Sequence, residues 1–166
     1  MGTESIVFTS DPNGRVYVAE IVGEEYLVTV YNPTGEVIQT ITRECDPVEK
    51  TQQELDEEIF SMEAEMRLMG VEGFGNWVPD PLKPMITGLG IDGDENLWVQ
   101  RGGEVYQTFD VYNMNAGGEL ICTVALPMPG GGWSVRVAQE GITAWQTDSL
   151  NGYFVFYILR LRQTTE

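Results

Sequence analysis

The stretch from Ile86 to Leu126, ITGLGIDGDENLWVQRGGEVYQTFDVYNMNAGGELICTVAL, constrains the fold more than any other part of the chain. Short apolar runs alternate there with Gly, Asp and Asn clusters. The pattern predicts four strands joined by tight turns: Met85 to Ile91, Leu97 to Val99, Tyr106 to Tyr112 and Leu120 to Leu126. Asp and Asn favour the turns by bonding their own backbone, and Gly by tolerating positive φ. Leu97-Trp98-Val99 is apolar on consecutive residues. A sheet with one wet face would alternate instead, so both faces of this sheet are expected to be buried.

The same unit recurs. In the first stretch, Ile6 to Thr9, Val16 to Val18, Tyr26 to Tyr31 and Val37 to Ile41 read as four strands, with turns at Asp11-Pro12-Asn13-Gly14 and Asn32-Pro33-Thr34-Gly35. Asp11 and Val16-Tyr17-Val18 lie 81 residues before Asp92 and Leu97-Trp98-Val99, and Val30-Tyr31-Asn32 matches Val111-Tyr112-Asn113 at the same offset. Two more residues in the last turn bring Gly35-Glu36-Val37-Ile38 onto Gly118-Glu119-Leu120-Ile121. A third copy fits in outline at an offset of 127, with Gly14 on Gly141, Val16 on Thr143 and Tyr26 on Tyr153. Its strands are Trp133 to Val137, Ile142 to Gln146 and Tyr153 to Leu161, and an outer fourth strand is missing. Repetition of four-stranded units about forty residues long marks a β-propeller. The expected fold is all-β: propeller blades built as antiparallel meanders, two complete and one partial, with one inserted amphipathic α-helix. It is read as a single partial propeller domain, with a blade over 5–43, the helical insertion and loop over 44–84, a blade over 85–127 and a partial blade over 132–162.

Between the first two copies the period changes. Residues 44–69 hold nine acidic residues and a stripe of Leu55, Ile59, Met62, Met66 and Met69, whose 4, 3, 4, 3 spacing puts them on one helix face. Asp46-Pro47, or Thr51 with Glu54, can start the helix, and Gly70 stops it. The stripe is expected to lie on the β body; the other reading is a seam for a partner or for self-association. A Gly- and Pro-rich connector follows, in which Phe74 and Trp77 either pin the loop or form a binding surface.

The chain resembles the bacterial six-bladed β-propeller proteins of the NHL-like kind, its C-terminal portion of about three blades. The residues that carry the likeness are Lys83-Pro84 with Ile86, Leu89-Gly90-Ile91-Asp92, Asn96-Leu97-Trp98-Val99, Phe109-Asp110-Val111-Tyr112 and Gly118-Glu119-Leu120. The resemblance implies blade turns and blade packing. It carries over no catalytic residue, because that group includes both binding scaffolds and enzymes. Two and three-quarter blades leave apolar faces and strand edges without neighbours. The expectation is therefore a homodimer or higher oligomer, or an N-terminal half of the propeller that supplies the rest. The run Ser5 to Thr9 is an alternative closing strand.

Charge and composition limit the function. Nine basic against 26 acidic residues give a net charge of −17, which repels nucleic acid and anionic membranes. The sequence holds no histidine, which excludes a Ser-His-Asp triad, a Cys-His pair and a His-ligated zinc within the chain. No apolar run is long enough to span a bilayer, so membrane insertion is not expected. A signal peptide is not expected in this chain, and the compartment stays open; a parent protein in the bacterial cell envelope or periplasm is what the resemblance suggests. Asp92, Asp94 and Asn96 follow the D-x-D-x-N opening of a calcium loop, but Leu97 and Gly103 stand where such a loop needs Gly and Glu. A plain Asx turn is the stronger reading there, since Asp11 holds the same place in the first copy. Asp148 and Asn151, with Thr147 and Ser149, lie between strands of the third copy, on a rim where ligands bind in such folds. The expected function is a non-enzymatic binding or scaffold module for a protein or small ligand. The alternatives are a lactonase-like hydrolase with a carboxylate-bound metal, or a domain that acts mainly through assembly.

Overall fold

The computed structural model describes residues 5–70, 77–104, 106–128, 133–147 and 154–159. Its elements form three antiparallel sheets and one helix. Sheet 1 is a four-stranded meander of β1 (Ile6–Ser10), β2 (Val16–Glu20), β3 (Leu27–Tyr31) and β4 (Val37–Thr42). Sheet 2 repeats it with β5 (Ile86–Ile91), β6 (Asn96–Arg101), β7 (Gln107–Asn113) and β8 (Glu119–Leu126). Sheet 3 has β9 (Trp133–Ala138), β10 (Gly141–Thr147) and β11 (Phe154–Leu159). The chain is mostly β, as its periodicity predicts. β1 is hydrogen-bonded to β2 and forms the first strand of sheet 1.

The first strands of the three sheets lie side by side, with β5 packed between β1 and β9. Sheet 2 is thereby covered on both faces. Residues of one parity, Leu89, Ile91, Leu97, Val99 and Tyr112, pack with Tyr17, Val28, Val30 and Ile41 of sheet 1. Those of the other parity, Trp98, Phe109, Val111 and Val124, pack with Val135, Val137, Ile142 and Leu159 of sheet 3. The consecutive apolar residues thus point to opposite sides, one set into each seam.

The two seams use equivalent residues. Tyr17, Val28 and Val30 face sheet 2, and their counterparts 81 residues later, Trp98, Phe109 and Val111, face sheet 3. The match for the third copy needs a correction. Five residues separate the paired Ile91 and Leu97, but only four separate the equivalent pair Val137 and Ile142. An offset of 127 therefore fails beyond this turn: Ile142, not Thr143, corresponds to Val16 and Leu97. One residue is decisive because a slip by one turns every later side chain to the other face.

Glycine permits β5 and β9 to approach closely. A Cβ on Gly90 would lie 2.6 Å from the Val137 carbonyl oxygen and 2.7 Å from its Cβ.

The helix α1 (Gln52–Leu68) starts at Thr51, not at Asp46-Pro47. Thr51 and Glu54 form a reciprocal capping box. Met69 caps the other end, and Gly70 follows at φ 70°. The expectation that its stripe lies buried on the β body is not met. None of its residues is buried: Leu55, Met62 and Met66 are half-buried, while Ile59 and Met69 are exposed. The insertion is instead closed at its base. Glu49 bridges Leu82, the Lys50 N–H donates to the Pro81 carbonyl and the Lys83 N–H to the Val48 carbonyl. Lys83 pairs with Glu54 at 2.7 Å and Lys50 with Glu58 at 2.6 Å, which fasten the first turns of the helix to that base.

A test of the seam follows. Gly90→Ala should cost about 1–3 kcal/mol in urea unfolding, because the added methyl meets backbone and side chain that must move apart. Unchanged stability would show that β5 and β9 are not held this closely.

Candidate functional site

Two polar clusters join sheets 1 and 2, one at each rim. The first lies beneath an open cleft of about 800 Å³ lined by Glu24, Glu25, Tyr26, Thr42, Arg43, Glu44, Cys45, Asp46 and Met85. These residues come from the β2–β3 loop, the end of β4 and the approach to β5. Below the cleft is Asp110 of β7, which is fully buried. Its Oδ1 accepts from the Thr123 hydroxyl at 2.7 Å and from Arg43 Nη1. Its Oδ2 accepts from the Tyr26 hydroxyl at 3.0 Å, and Tyr26 in turn accepts from Tyr112 at 3.1 Å. The carboxylate therefore binds donors from both sheets. A buried charge is tolerated only when paired and hydrogen-bonded in this way.

The network keeps its phenols protonated. Burial, followed by the Tyr112 hydrogen bond, pushes the Tyr26 phenol far above its ordinary range. Tyr112 is raised by burial; the hydrogen bond to Tyr26 opposes that and the Asp110 charge adds to it. For Arg43, burial works to lower the pKa, but the hydrogen bond and charge of Asp110 outweigh it and the result lies above the ordinary value.

The second cluster sits at the opposite rim, in the β1–β2 and β5–β6 turns. Asp11 Oδ1 accepts from the N–H groups of Asn13 and Arg15, both at 2.9 Å, and Oδ2 from Arg15 Nε and from the Tyr17 hydroxyl at 3.0 Å. Asp92 repeats this. Its Oδ1 accepts from the N–H groups of Asp94 and Asn96, and its Oδ2 from Asn96 Nδ2 and from Trp98 Nε1 at 2.8 Å. In each copy an aromatic residue six positions on donates to the turn aspartate. Four N–H donors point at Asp92, one for each lone-pair site of a carboxylate. That geometry belongs to an Asx turn, and it turns donors, not acceptors, toward any cation held by Asp92, Asp94 and Asn96. Among the described residues no three His, Cys, Asp or Glu groups are placed to hold a metal ion.

Glu95 occupies the left-handed region at φ 61°, where Gly14 stands in the first copy at φ 79°. A side chain there is strained. Glu95 Oε2 accepts from Asn13 Nδ2 at 3.0 Å and lies 3.6 Å from Arg15 Nη2, so the strained residue ties the two turns together.

Of the other residues singled out in the sequence, Trp77 is described and half-buried. It lines a cavity of about 400 Å³ between Met62 of the helix, Val78 and Leu82 of the connector, and Ile21 and Val22 after β2. Phe74, Asp148 and Asn151 lie outside the described residues. Cys45 and Cys122 are free thiols. Sequence reasoning passed over the Asp110 network. Its one signal is a lone acid within the apolar run Phe109 to Tyr112.

Compared with protein-family models, curated proteins and solved structures, the chain matches none.

Arg43→Met should cost about 3–5 kcal/mol in denaturant unfolding, because it leaves Asp110 buried without its cation. The double variant Arg43→Met/Asp110→Leu should recover most of that loss; a double variant no better than the single one would show that the charge of Asp110 is not the problem. The turn aspartate predicts an acid dependence. Burial raises the Asp11 carboxyl, but its hydrogen bonds from Arg15 and Tyr17 outweigh this and leave it below the ordinary value. Its stabilisation is therefore present above the unfolded value, about pH 4, and is lost as pH falls through the folded one. Asp11→Asn should be less stable at neutral pH and lose less stability below about pH 4 than the unaltered chain. Parallel acid limbs would contradict this.

Proposed function

We propose that the chain forms three blades of a six-bladed β-propeller and acts as a non-enzymatic binding scaffold, completed by three further blades. The observation that supports this is the contrast between sheets. Sheet 2 is covered on both faces, and its two seams use equivalent positions. Sheets 1 and 3 each use one face in that way and leave the other exposed and apolar: Ile6 and Phe8 on sheet 1, Phe156 and Ile158 on sheet 3. Contiguous apolar faces of this kind mark interaction surfaces. First strands lying side by side suit the radial stacking of blades around an axis.

In this reading the rim cleft over Asp110 is where a protein or small ligand docks. Its floor is fixed by the Arg43–Asp110 pair, and its wall is acidic through Glu24, Glu25, Glu44 and Asp46. A hydrolase would need a nucleophile or metal-bound water positioned by an acid or base, and no such constellation stands out among the described residues.

The chain should run in solution as an assembly of two or more copies, or as one copy joined to an upstream half when that is supplied. Light scattering at micromolar concentration measures this. A mass of 18.5 kDa for the chain alone would count against the scaffold reading.

A further inference from the structure

The repeat says which faces meet. By the 81-residue offset, the exposed face of sheet 1 carries Phe8, Val16, Val18 and Tyr31 where sheet 2 carries Leu89, Leu97, Val99 and Tyr112. Those sheet 2 residues pack against sheet 1. The exposed face of sheet 1 is therefore built to receive a preceding sheet. Phe8 on it is 70% exposed, and Val16, Val18 and Tyr31 are half-buried.

The exposed face of sheet 3 is the opposite kind. In sheet 2, Trp98 pairs with Val111 and Gln100 with Phe109 on the face that packs forward. In sheet 3, Thr143 pairs with Ile158 and Trp145 with Phe156 on the side away from sheet 2. Phe156 thus holds the place of Phe109, and Ile158 that of Val111. Ile158 is 79% exposed. This is a face built to enter a following sheet.

We propose that a second copy of this chain covers both faces head to tail, sheet 3 of each copy packing on sheet 1 of the other. The inference rests on the propeller reading above and adds the partner and the pairing. In the six-bladed reading, three sheets from each copy complete the ring, and a two-fold arrangement leaves neither face open. Arg136 stands in the row that Gly90 holds in the internal seam. By the same register it meets the row of Ser10, the counterpart of Val137, so the contact between copies is wider and more polar there than the internal one.

The test uses one substitution on each face. Phe8→Asp spoils the receiving face and Ile158→Asp the entering face. Each variant alone should run at the mass of one chain, and each should remain folded by circular dichroism. Mixed in equal amounts they should form a one-to-one heterodimer, because the intact entering face of one meets the intact receiving face of the other. Sedimentation velocity reads all three samples. If Phe8→Asp does not fold, Tyr31→Glu replaces it on the same face. A mixture that stays monomeric would overturn the head-to-tail pairing. So would an Ile158→Asp variant that remains dimeric, since sheet 1 would then be pairing with itself. A monomeric unaltered chain would overturn the scaffold reading as well, so the two failures are told apart.

Discussion

The structure depends on the burial of sheet 2 between its neighbours. Its strands carry apolar residues of both parities, and each parity has a sheet to pack against. Burying a large aliphatic or aromatic side chain contributes about 1.5–3 kcal/mol, and the two seams hold most of the buried apolar residues described. Among the described residues, nothing covers the outer face of sheet 1 or of sheet 3 as the inner faces are covered. The same constraint that builds the centre therefore leaves the ends incomplete, and the proposed scaffold function follows from that.

Polar groups set the alignment of sheets 1 and 2. Apolar packing resists sliding weakly, but Asp110 has one place where Arg43, Thr123 and Tyr26 can all reach it. At the opposite rim, Glu95 accepts a bond from the first turn and keeps a strained backbone in doing so. The two clusters hold the seam at both ends. Whether such a network gains stability over apolar replacements is a separate matter from the cost of breaking it, which is large.

Much of this fold was legible in the sequence. The turn residues Asp11 and Asp92 and the apolar triplets after them located the strands, and the 81-residue offset put equivalent residues in equivalent seams. The third copy misled by one residue, because a shortened hairpin leaves no mark in composition yet reverses the facing of every later side chain. The helix stripe misled for another reason. Its spacing was helical, but amphipathic spacing does not say what lies opposite, and the insertion closes through backbone bonds between residues 48–50 and 81–83 that no side-chain pattern announces. The Asp110 network was hidden because its partners lie 13 to 84 residues away in sequence.

The central claim is that the outer faces of sheets 1 and 3 are covered in solution as the inner faces are. Hydroxyl-radical footprinting read by mass spectrometry tests it side chain by side chain. Phe8 and Phe156 should be protected to nearly the same degree as their buried counterpart Phe109, and should lose that protection on dilution to the monomer. Rapid oxidation of Phe8 and Phe156 at every concentration, with Phe109 still protected, would contradict the account.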